Sequence, residues 1–236
     1  SEVRVLLRAY TLLNIFNYFL SLLNMKTQKQ NKTTVLVAMS GGVDSSIAAL
    51  IMKQHGFNVI GCFMKNWSDS KDIYTGECKW RQERRVATQI ASILDIPLIT
   101  LDFEKEYKKI VVSDMFKKYK QGITPNPDVL CNEKIKFPLL WKAAKKLKAE
   151  YIVTGHYARI KRIKNNYEML RAKDETKDQS YFLYRLTQED ISHTLFPIGE
   201  YTKKEIRKIA EKNKFPNYNK KSTVGICFIG KINLKD

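Results

Sequence analysis

The stretch Val35-Leu36-Val37-Ala38-Met39-Ser40-Gly41-Gly42-Val43-Asp44-Ser45-Ser46 decides the fold of this chain. Its apolar first half predicts a buried strand, and the two glycines before Asp-Ser-Ser predict a tight turn and then a helix. Glycines let a phosphate approach the backbone, and the free N–H groups of a helix N-terminus attract an anion. The stretch therefore predicts a phosphate site, with Asp44 as a candidate Mg²⁺ ligand. The alternative is a turn that only packs a helix on a strand.

Composition indicates a globular protein with a strong positive field. The chain has 236 residues, 44% of them hydrophobic, and a formal net charge of +18. Two explanations of the charge stay open, a polyanionic partner such as nucleic acid or a surface solvated by lysine. The cysteines are too scattered for a disulfide scaffold and form no C-x-x-C pair, so we expect reduced thiols and a cytoplasmic location. They are Cys62, Cys78, Cys131 and Cys227.

Residues 1–24 differ from the rest of the chain and are predicted to be a leader outside the fold. They are apolar, carry Arg4 and Arg8, and end before Met25. One explanation is a translated upstream region that precedes a native start at Met25. The other is a targeting segment, which would place the protein in mitochondria or another organelle. Asparagines at positions 14, 17 and 24 interrupt the apolar run, so we expect no membrane span.

Beyond the first turn, strands and helices alternate. The spacing of apolar residues predicts strands at 58–64 and 97–101 and helices at 47–54, 81–94 and 104–120. Such alternation predicts an α/β fold with a parallel sheet flanked by helices. Ligands of these sheets bind beyond the carboxyl ends of the strands, where the Ser40 turn lies. Within the second strand, Cys62 is expected to be a buried small hydrophobe.

The second informative stretch, residues 121–132, precedes a helix predicted over 133–148. Cys131 would then stand at a helix start, where the dipole favours a thiolate and makes the thiol a candidate nucleophile. The alternative is a loop cysteine that caps or packs. Asp128 is a candidate to orient a polar substrate group or carry a proton, or it closes an Asx turn.

Later segments combine glycines with donors and aromatic side chains. A strand is predicted over 151–158, where Gly155 allows a ligand close approach and His156 is expected to be structural. The run 177–184 suits contact with a nucleic acid, although Phe182 and Leu183 are expected in the core. A capping box at 202–205 predicts a helix through residue 210. Cys227, between two glycines, suits either a mobile sulfur carrier or a buried strand.

Taken together, six blocks resemble the tRNA-specific 2-thiouridylases of the MnmA type, in the N-type ATP pyrophosphatase (PP-loop) superfamily. The blocks are A-M-S-G-G-V-D-S-S (38–46), N-W (66–67), T-P-N-P-D-V-L-C-N (124–132), T-G-H-Y-A (154–158), K-D-Q-S-Y-F-L-Y (177–184) and G-I-C-F-I-G (225–230). The resemblance implies a Rossmann-like PP-loop fold of the adenine nucleotide alpha hydrolase type. It implies a nucleotide-binding domain over 34–160 and a tRNA-contacting, mostly helical part over 161–236. Family members continue into β-rich domains, so we expect a C-terminally truncated chain.

The resemblance also implies which residues form the site. Positions that match ATP contacts are Ala38, Met39, Ser40, Gly41, Gly42, Val43, Asp44, Ser45, Met64 and Gly155. Positions that match tRNA contacts are Asn126, Pro127 and Asp128, which face the target uridine, and Lys177, Asp178 and Gln179. Cys131 matches the catalytic nucleophile, Cys227 matches the persulfide carrier, and Asp128 is the third catalytic candidate. In one departure, Ser222-Thr223-Val224 stand where the family has Asp-Ser and one further residue before Gly-Ile-Cys.

The implied reaction adenylylates the C2 oxygen of the wobble uridine in a tRNA anticodon loop, using ATP and Mg²⁺. Persulfide sulfur from a sulfur-relay protein or a cysteine desulfurase then replaces AMP to give 2-thiouridine. The two thiols end as a disulfide that requires reduction. One alternative is an inactive, truncated tRNA-binding remnant. Another is a different PP-loop enzyme, such as an amidating synthetase or argininosuccinate synthase, which would need neither cysteine.

Overall fold

The structure is a computed structural model, and it describes residues 33–68 and 78–220. At its centre is a five-stranded sheet in the order β3-β2-β1-β4-β7, in which every adjacent pair is parallel. Its strands are β1 (Thr34–Ala38), β2 (Asn58–Lys65), β3 (Leu98–Asp102), β4 (Tyr151–Val153) and β7 (Thr194–Leu195). Strands β5 (Ala158–Ile163) and β6 (Asn166–Arg171) form a separate antiparallel hairpin. The predicted parallel α/β sheet is confirmed.

Helices connect the strands and cover the sheet. They are α1 (Val43–Gln54), α2 (Lys79–Ile93), α3 (Glu104–Tyr107), α4 (Ser113–Lys120), α5 (Pro127–Cys131), α6 (Phe137–Lys146), α7 (Gln188–Ser192) and α8 (Lys203–Lys212). A wider π-helical turn joins α3 to α4 over Lys108–Val112, and another joins α5 to α6 over Asn132–Lys136. Short 3₁₀ turns lie at Glu175–Lys177 and Ser180–Phe182.

The core lies on both faces of the sheet. Val35 and Val37 of β1 pack on one face with α1, α2 and α8, whereas Leu36 packs on the other face with α6. All three side chains are fully buried, because successive residues of a strand point to opposite faces and helices cover both. This arrangement explains why the strand that opens the fold is uniformly apolar.

The strand order fixes the position of the site. β1 is flanked by β2 on one side and by β4 on the other. The connection that follows β1 leads to β2, whereas the connection that follows β4 leads toward the other side of the sheet, where β7 lies. The turns after β1 and β4 therefore lie side by side at the carboxyl edge of the sheet, which is where such sheets bind ligands. Both turns contain glycines that the sequence analysis selected, Gly41 and Gly155.

Several elements differ from the predictions. The helix expected to begin at residue 133 begins at Pro127, because Asn126 caps it and Pro127 suits a first helical position. The strand predicted over 151–158 ends at Val153. The β5–β6 hairpin and the two-residue β7 were not predicted. Cys62 and Leu183 are buried as expected, and Phe182 is half-buried.

The predicted division near residue 160 stays a prediction. β7 lies beyond that boundary in sequence and nevertheless pairs with β4 in the main sheet. Residues 1–24 and Cys227 lie outside the described residues. Within the described ranges, no helix has the length and apolar character needed to cross a bilayer.

Candidate functional site

A cavity of about 430 Å³ opens at the carboxyl edge of the sheet. Its volume is typical of pockets that bind small molecules. The predicted residues that line it are Ala38, Met39, Ser40, Gly42, Val43, Asp44, Ser45, Met64, Asp128, Gly155, Lys177 and Gln179. The structure thus brings the predicted ATP segment and parts of both predicted tRNA segments to one cavity. Of the other described candidates, Gly41, Asn126, Pro127, Cys131 and Asp178 do not line it.

The turn after β1 is closed by its own hydrogen bonds. The Ser40 N–H donates to Ser45 Oγ at 3.2 Å, and Ser45 Oγ donates to the Gly42 carbonyl at 3.0 Å. Gly41 has a φ of +73°, and a Cβ there would lie 2.3 Å from the Glu83 carbonyl oxygen in α2. Gly41 therefore lets α2 pack against the turn, whereas Gly42 keeps the cavity side of the turn open.

The N-terminus of α1 has features that favour an anion. Gly42 is its N-cap, and it has no side chain to occupy the N–H groups of the first turn. These N–H groups have no intrahelical acceptor and carry the positive end of the helix dipole. Gly155 lies against the same end of α1, since a Cβ at this position would be 2.6 Å from the Ser45 nitrogen. The turn after β4 can therefore lie directly against this helix end, and phosphate suits the resulting site.

Asp44, in the first turn of α1, is held by two side chains from distant parts of the chain. Lys203 Nζ lies 2.6 Å from Asp44 Oδ1 and 2.7 Å from Oδ2. The Tyr157 hydroxyl donates to Oδ1 at 2.8 Å. Burial, reinforced by the charge of Asp44, raises the pKa of Tyr157, so its hydroxyl stays protonated and acts as a donor. Neither Lys203 nor Tyr157 was predicted as a site residue.

The predicted Mg²⁺ site at Asp44 is compatible with this geometry in its donor type. Among the described residues, no three His, Cys, Asp or Glu side chains are grouped for a metal. Mg²⁺ commonly takes one or two carboxylates and completes its shell with phosphate oxygens and water. Asp44 can supply one carboxylate, for which Lys203 is a competing cation. Magnesium at Asp44 stays a prediction.

The segment after α8 also braces the turn after β1. The buried Asn217 amide donates to the Gly41 carbonyl at 3.2 Å and to Ser46 Oγ at 3.0 Å. Lys220 Nζ lies 3.4 Å from the same carbonyl and lines the cavity. These contacts span more than 170 residues of sequence. No local pattern indicated them, so the sequence analysis missed both residues.

The opposite wall is formed by α5 and the π-helical turn that follows it. Asn126 Oδ1 accepts the Val129 N–H at 3.2 Å and caps α5. Cys131 is the last residue of α5, not the residue before a helix as predicted, so the argument for a thiolate at a helix start does not apply. Its side chain is 1% exposed and packs in an apolar cluster that includes Tyr107 and Ile135. Asp128 and Asn132, on either side of it in sequence, do line the cavity.

Cys62 is a thiol that lines the cavity. It lies in β2 and is fully buried. Burial raises its pKa to about 12, so the side chain remains a thiol near neutral pH. Because the thiolate is the nucleophilic form, this pKa disfavours Cys62 as a nucleophile.

His156 belongs to a hydrogen-bonded network in the cavity wall. Lys136 Nζ contacts Asn132 Oδ1 at 2.9 Å and His156 Nε2 at 3.3 Å. Lysine only donates, so Nε2 is an acceptor and Nδ1 carries the hydrogen that points to Thr154 Oγ1 at 2.7 Å. Burial and the charge of Lys136 lower the pKa of His156 well below 6.5. The lowered pKa favours the neutral imidazole, and a structural role for His156 stays a prediction.

In the turn at residues 174–182, two side chains that were predicted to contact tRNA form hydrogen bonds within the chain. Asp178 Oδ1 accepts the Ala172 N–H at 2.9 Å, and Asp178 Oδ2 accepts Ser180 Oγ at 2.7 Å. Burial alone would raise the pKa of Asp178, but these hydrogen bonds outweigh it and the pKa is lowered. Gln179 Oε1 accepts the Tyr157 N–H at 2.9 Å. Asp178 and Gln179 thus shape the turn that presents Lys177 to the cavity.

Comparison with known proteins shows which sequences the chain is similar to. The chain is 51% identical to the tRNA-specific 2-thiouridylase MnmA of Nitrosomonas europaea over 201 residues, which cover 85% of this chain and 55% of that protein. It is 51% identical to MnmA 1 of Geobacillus kaustophilus over 205 residues, which cover 87% and 55% of the two chains. The chain thus spans about half the length of these relatives.

The fold is also found in solved structures of distant sequence. A 4-thiouridine synthetase, solved as an RNA complex with bound ATP, matches with a TM-score of 0.57 at 14% identity, over 84% of this chain and 46% of that one. The family model described as the tRNA methyl transferase HUP domain matches residues 33–231. That match covers the sheet, the cavity and the segments around it, and the chain therefore belongs to the tRNA methyl transferase HUP domain family.

Proposed function

We propose that this chain is the catalytic part of a tRNA-uridine 2-sulfurtransferase. It would use ATP to activate the wobble uridine of tRNA and then replace the C2 oxygen with sulfur to give 2-thiouridine. The observation that carries the proposal is the 51% identity to a relative named tRNA-specific 2-thiouridylase across 85% of the chain. The cavity supports it, because a helix N-terminus that favours an anion and the α5 wall face the same space.

ATP is proposed to bind with its polyphosphate at the N-terminus of α1. The uncapped N–H groups after Gly42 and the hydroxyl of Ser40 are the donors that favour this orientation. Met64 and Gly155 line the cavity on either side and are the remaining predicted nucleotide contacts. Asp44 is the proposed Mg²⁺ ligand, and the metal when bound would offset the charge that develops on the phosphates.

In the first proposed step, the C2 oxygen of uridine attacks the α-phosphorus of ATP, and the bond to pyrophosphate breaks. The helix N-terminus would hold the departing pyrophosphate. Asn126, Pro127 and Asp128 are proposed to hold the base, and Asp128 is the candidate to accept the N3 proton of the uracil. An anticodon loop suits such a site because its bases can be splayed out without melting a duplex.

In the second step, Cys227 is proposed to carry sulfur as a persulfide supplied by a sulfur-relay protein or a cysteine desulfurase. The Cys131 thiolate attacks the inner sulfur of that persulfide, and hydrosulfide leaves. Hydrosulfide then attacks C2 of the adenylylated uridine and AMP departs. The resulting disulfide between Cys131 and Cys227 takes two electrons from an external thiol reductant before another cycle. We place this reaction in the cytoplasm.

The burial of Cys131 adds a condition to the proposal. At 1% exposure its thiol does not reach the cavity, although its neighbours Asp128 and Asn132 do. The π-helical turn at Asn132–Lys136 directly follows it, and such turns are common at functional sites. We therefore expect this turn to rearrange when substrates bind. Alkylation of Cys131 by iodoacetamide, followed by peptide mass spectrometry, should be slow in the free chain and faster with tRNA and ATP.

The surface beside the cavity suits an RNA loop. Tyr181 and Tyr184 are 59% and 70% exposed, and the neighbouring Phe182 lines the cavity. Exposed aromatic rings stack on unpaired bases, and Lys177 offers a charge to the backbone. The net charge of +18 favours a polyanionic partner. We propose that these tyrosines contact bases next to the target uridine.

The test of the function is sulfur incorporation into unmodified tRNA with ATP, Mg²⁺ and a persulfide donor. Parent chain and the C78A control are expected to thiolate the tRNA, whereas C131A and C227A are expected to be inactive. Cys78 is a suitable control because it is a described thiol at the N-cap of α2, to which no role is assigned.

Other outcomes identify the alternatives. Retained thiolation in both C131A and C227A would contradict the two-cysteine mechanism. Pyrophosphate release from ATP without thiolation of the tRNA by the parent would contradict the sulfurtransferase function and favour another PP-loop chemistry, such as amidation. Binding of tRNA without thiolation by the parent would contradict catalysis by this chain and favour the tRNA-binding remnant.

A further inference from the structure

The residues that follow Cys131 tie it to a neighbouring segment of the chain. The Cys131 thiol is 1% exposed and packs in an apolar cluster. The next two residues, Asn132 and Glu133, open the π-helical turn Asn132–Lys136. Both of them contact residues 182–185. A movement of the turn away from this segment therefore breaks both contacts.

The two contacts differ in kind. The Asn132 Nδ2 group donates a hydrogen bond to the Phe182 carbonyl at 3.1 Å. Arg185 Nε lies 2.6 Å from Glu133 Oε2, and the Glu133 side chain is only 13% exposed. Water screens a partly buried charge less than an exposed one, so this ion pair is stronger than a pair at the surface. Together the hydrogen bond and the ion pair form a clasp that fixes the start of the π-helical turn.

Arg185 can leave the clasp without stranding a buried charge. Its own side chain is 52% exposed, so a ligand in solvent can reach the guanidinium group. Glu133 keeps a second cation, since Lys134 Nζ lies 2.8 Å from its other carboxylate oxygen, Oε1. Loss of Arg185 therefore leaves the carboxylate paired, whereas loss of both cations would leave it uncompensated.

The surroundings of Arg185 favour RNA as the ligand that replaces Glu133. Tyr181 and Tyr184, next to it in sequence, are 59% and 70% exposed. Exposed aromatic rings stack on unpaired bases, and a stacked base brings its phosphate close to the protein surface. A guanidinium group binds phosphate through two parallel N–H groups, which makes arginine well suited to this anion. An RNA loop on these tyrosines would therefore bring phosphates to Arg185.

We propose that Arg185 is a positioning residue that couples RNA binding to exposure of the Cys131 thiol. This inference rests on the proposed tRNA substrate. In the free chain, Arg185 pairs with Glu133 and the clasp keeps Cys131 buried. In the RNA complex, Arg185 contacts a phosphate, the clasp opens and the π-helical turn moves. The thiol is thus protected from unproductive reactions until a tRNA is bound.

The test is the rate at which iodoacetamide alkylates Cys131, measured by peptide mass spectrometry without a persulfide donor. R185M should react about tenfold faster than the parent in the absence of RNA, because local opening no longer breaks a charge-assisted contact. Unmodified tRNA should accelerate the parent by a similar factor and R185M by less than about twofold. Acceleration of the parent by ATP alone to the same extent as by tRNA would assign the trigger to the nucleotide and overturn the proposal.

The matched control is K134M, which removes a cation from the same carboxylate. The pair between Lys134 and Glu133 lies within the π-helical turn, so its loss breaks no link to residues 182–185. K134M should therefore change the alkylation rate by less than about twofold. Equal acceleration in K134M and R185M would overturn the proposal.

The carboxylate partner separates RNA binding by Arg185 from a purely structural role. E133Q keeps the shape of the side chain but breaks the ion pair, so Cys131 should react as fast as in R185M. E133Q also frees Arg185 and should bind tRNA at least as tightly as the parent. R185M should instead lower the slope of log affinity against log salt by about one, the change expected for one lost phosphate contact. An unchanged slope in R185M would overturn the proposal.

Cys62 reports whether a variant has unfolded, because it is fully buried in β2. It should stay unreactive in parent, K134M, R185M and E133Q. If Cys62 reacts in R185M, the alkylation rate of E133Q decides the outcome, and a rate equal to that of the parent would overturn the proposal.

The proposal and the sulfurtransferase function can fail separately. A parent chain in which tRNA exposes Cys131, but which does not thiolate the tRNA, supports the role of Arg185 and contradicts the function. A parent chain that thiolates tRNA, with the same alkylation rate in parent and R185M, supports the function and overturns the role of Arg185.

Discussion

At the scale of single residues, Gly41 and Gly56, two of the described glycines with positive φ, form a matched pair. Their φ angles are +73° and +83°, but a Cβ at Gly41 would strike the Glu83 carbonyl at 2.3 Å, whereas a Cβ at Gly56 has nothing within 4 Å. The comparison therefore separates backbone strain from a steric clash.

We predict that G56A costs about 1 kcal/mol of unfolding free energy, the usual cost of the left-handed conformation for a residue with a Cβ. G41A should cost at least about 3 kcal/mol, because α2 must also move away from the turn. Urea unfolding of both variants measures the difference. Equal losses would mean that the contact between Gly41 and α2 is unimportant.

His156 predicts a specific pH dependence of stability. Burial and Lys136 hold its pKa well below the ordinary value of 6.5. Below pH 6.5, His156 is protonated in the unfolded chain and stays neutral in the folded chain. The stability present above pH 6.5 is therefore lost as the pH falls toward the depressed pKa. H156Q should remove a slope of up to about 1.4 kcal/mol per pH unit between pH 6.5 and 5.

The measurement is the free energy of unfolding of parent and H156Q at several pH values. His193, whose pKa is also lowered by burial, is present in both proteins and cancels in the comparison. Parallel curves for the two proteins would show that His156 is not held neutral by the fold.

At the scale of elements, α7 and α8 begin with equivalent capping boxes. Thr187 pairs with Asp190 in α7, and Thr202 pairs with Glu205 in α8. Each threonine-to-alanine change should cost about 1 kcal/mol. We predict that only T202A also weakens pyrophosphate binding, because α8 positions Lys203 against Asp44 in the first turn of α1. Calorimetry and urea unfolding on both variants test this, and a loss of binding in T187A of the same size would contradict it.

Most of the elements that carry local patterns could be predicted from the sequence. The apolar run of β1, the glycine turn and the capping box of α8 determine their conformations through adjacent residues. β7 could not be predicted, since two residues have no periodicity and form a strand only by pairing with β4. The early start of α5 was missed because Asn126 and Pro127 were interpreted as loop residues, not as a cap and a first helical residue.

The residues of the candidate site also fall into two groups, those that the local sequence indicates and those that it does not. Residues of the turn after β1 could be selected because phosphate binding requires adjacent glycines, hydroxyls and a helix start. Lys203, in contrast, meets Asp44 across 159 residues of sequence, and Asn217 meets Ser46 across 171. Such contacts depend on how α8 packs against α1, and nothing in the local sequence encodes them.

At the scale of the whole molecule, the net charge of +18 predicts salt-dependent binding of RNA. Each neutralised phosphate releases a counter-ion, so affinity for tRNA should fall by roughly a hundredfold or more between 50 and 200 mM salt. Filter binding with unmodified tRNA over this range measures the slope. Affinity that does not change with salt would favour the other explanation of the charge, a surface solvated by lysine.

Pyrophosphate release that depends on a wobble uridine is the most direct test of the proposal that the cavity brings ATP and a tRNA uridine together. We predict that the chain with ATP and Mg²⁺ releases pyrophosphate when given unmodified tRNA with uridine at the wobble position. The same tRNA with cytidine there should give only background release. Release at one rate with either tRNA, or without tRNA, would contradict activation of the uridine by this chain.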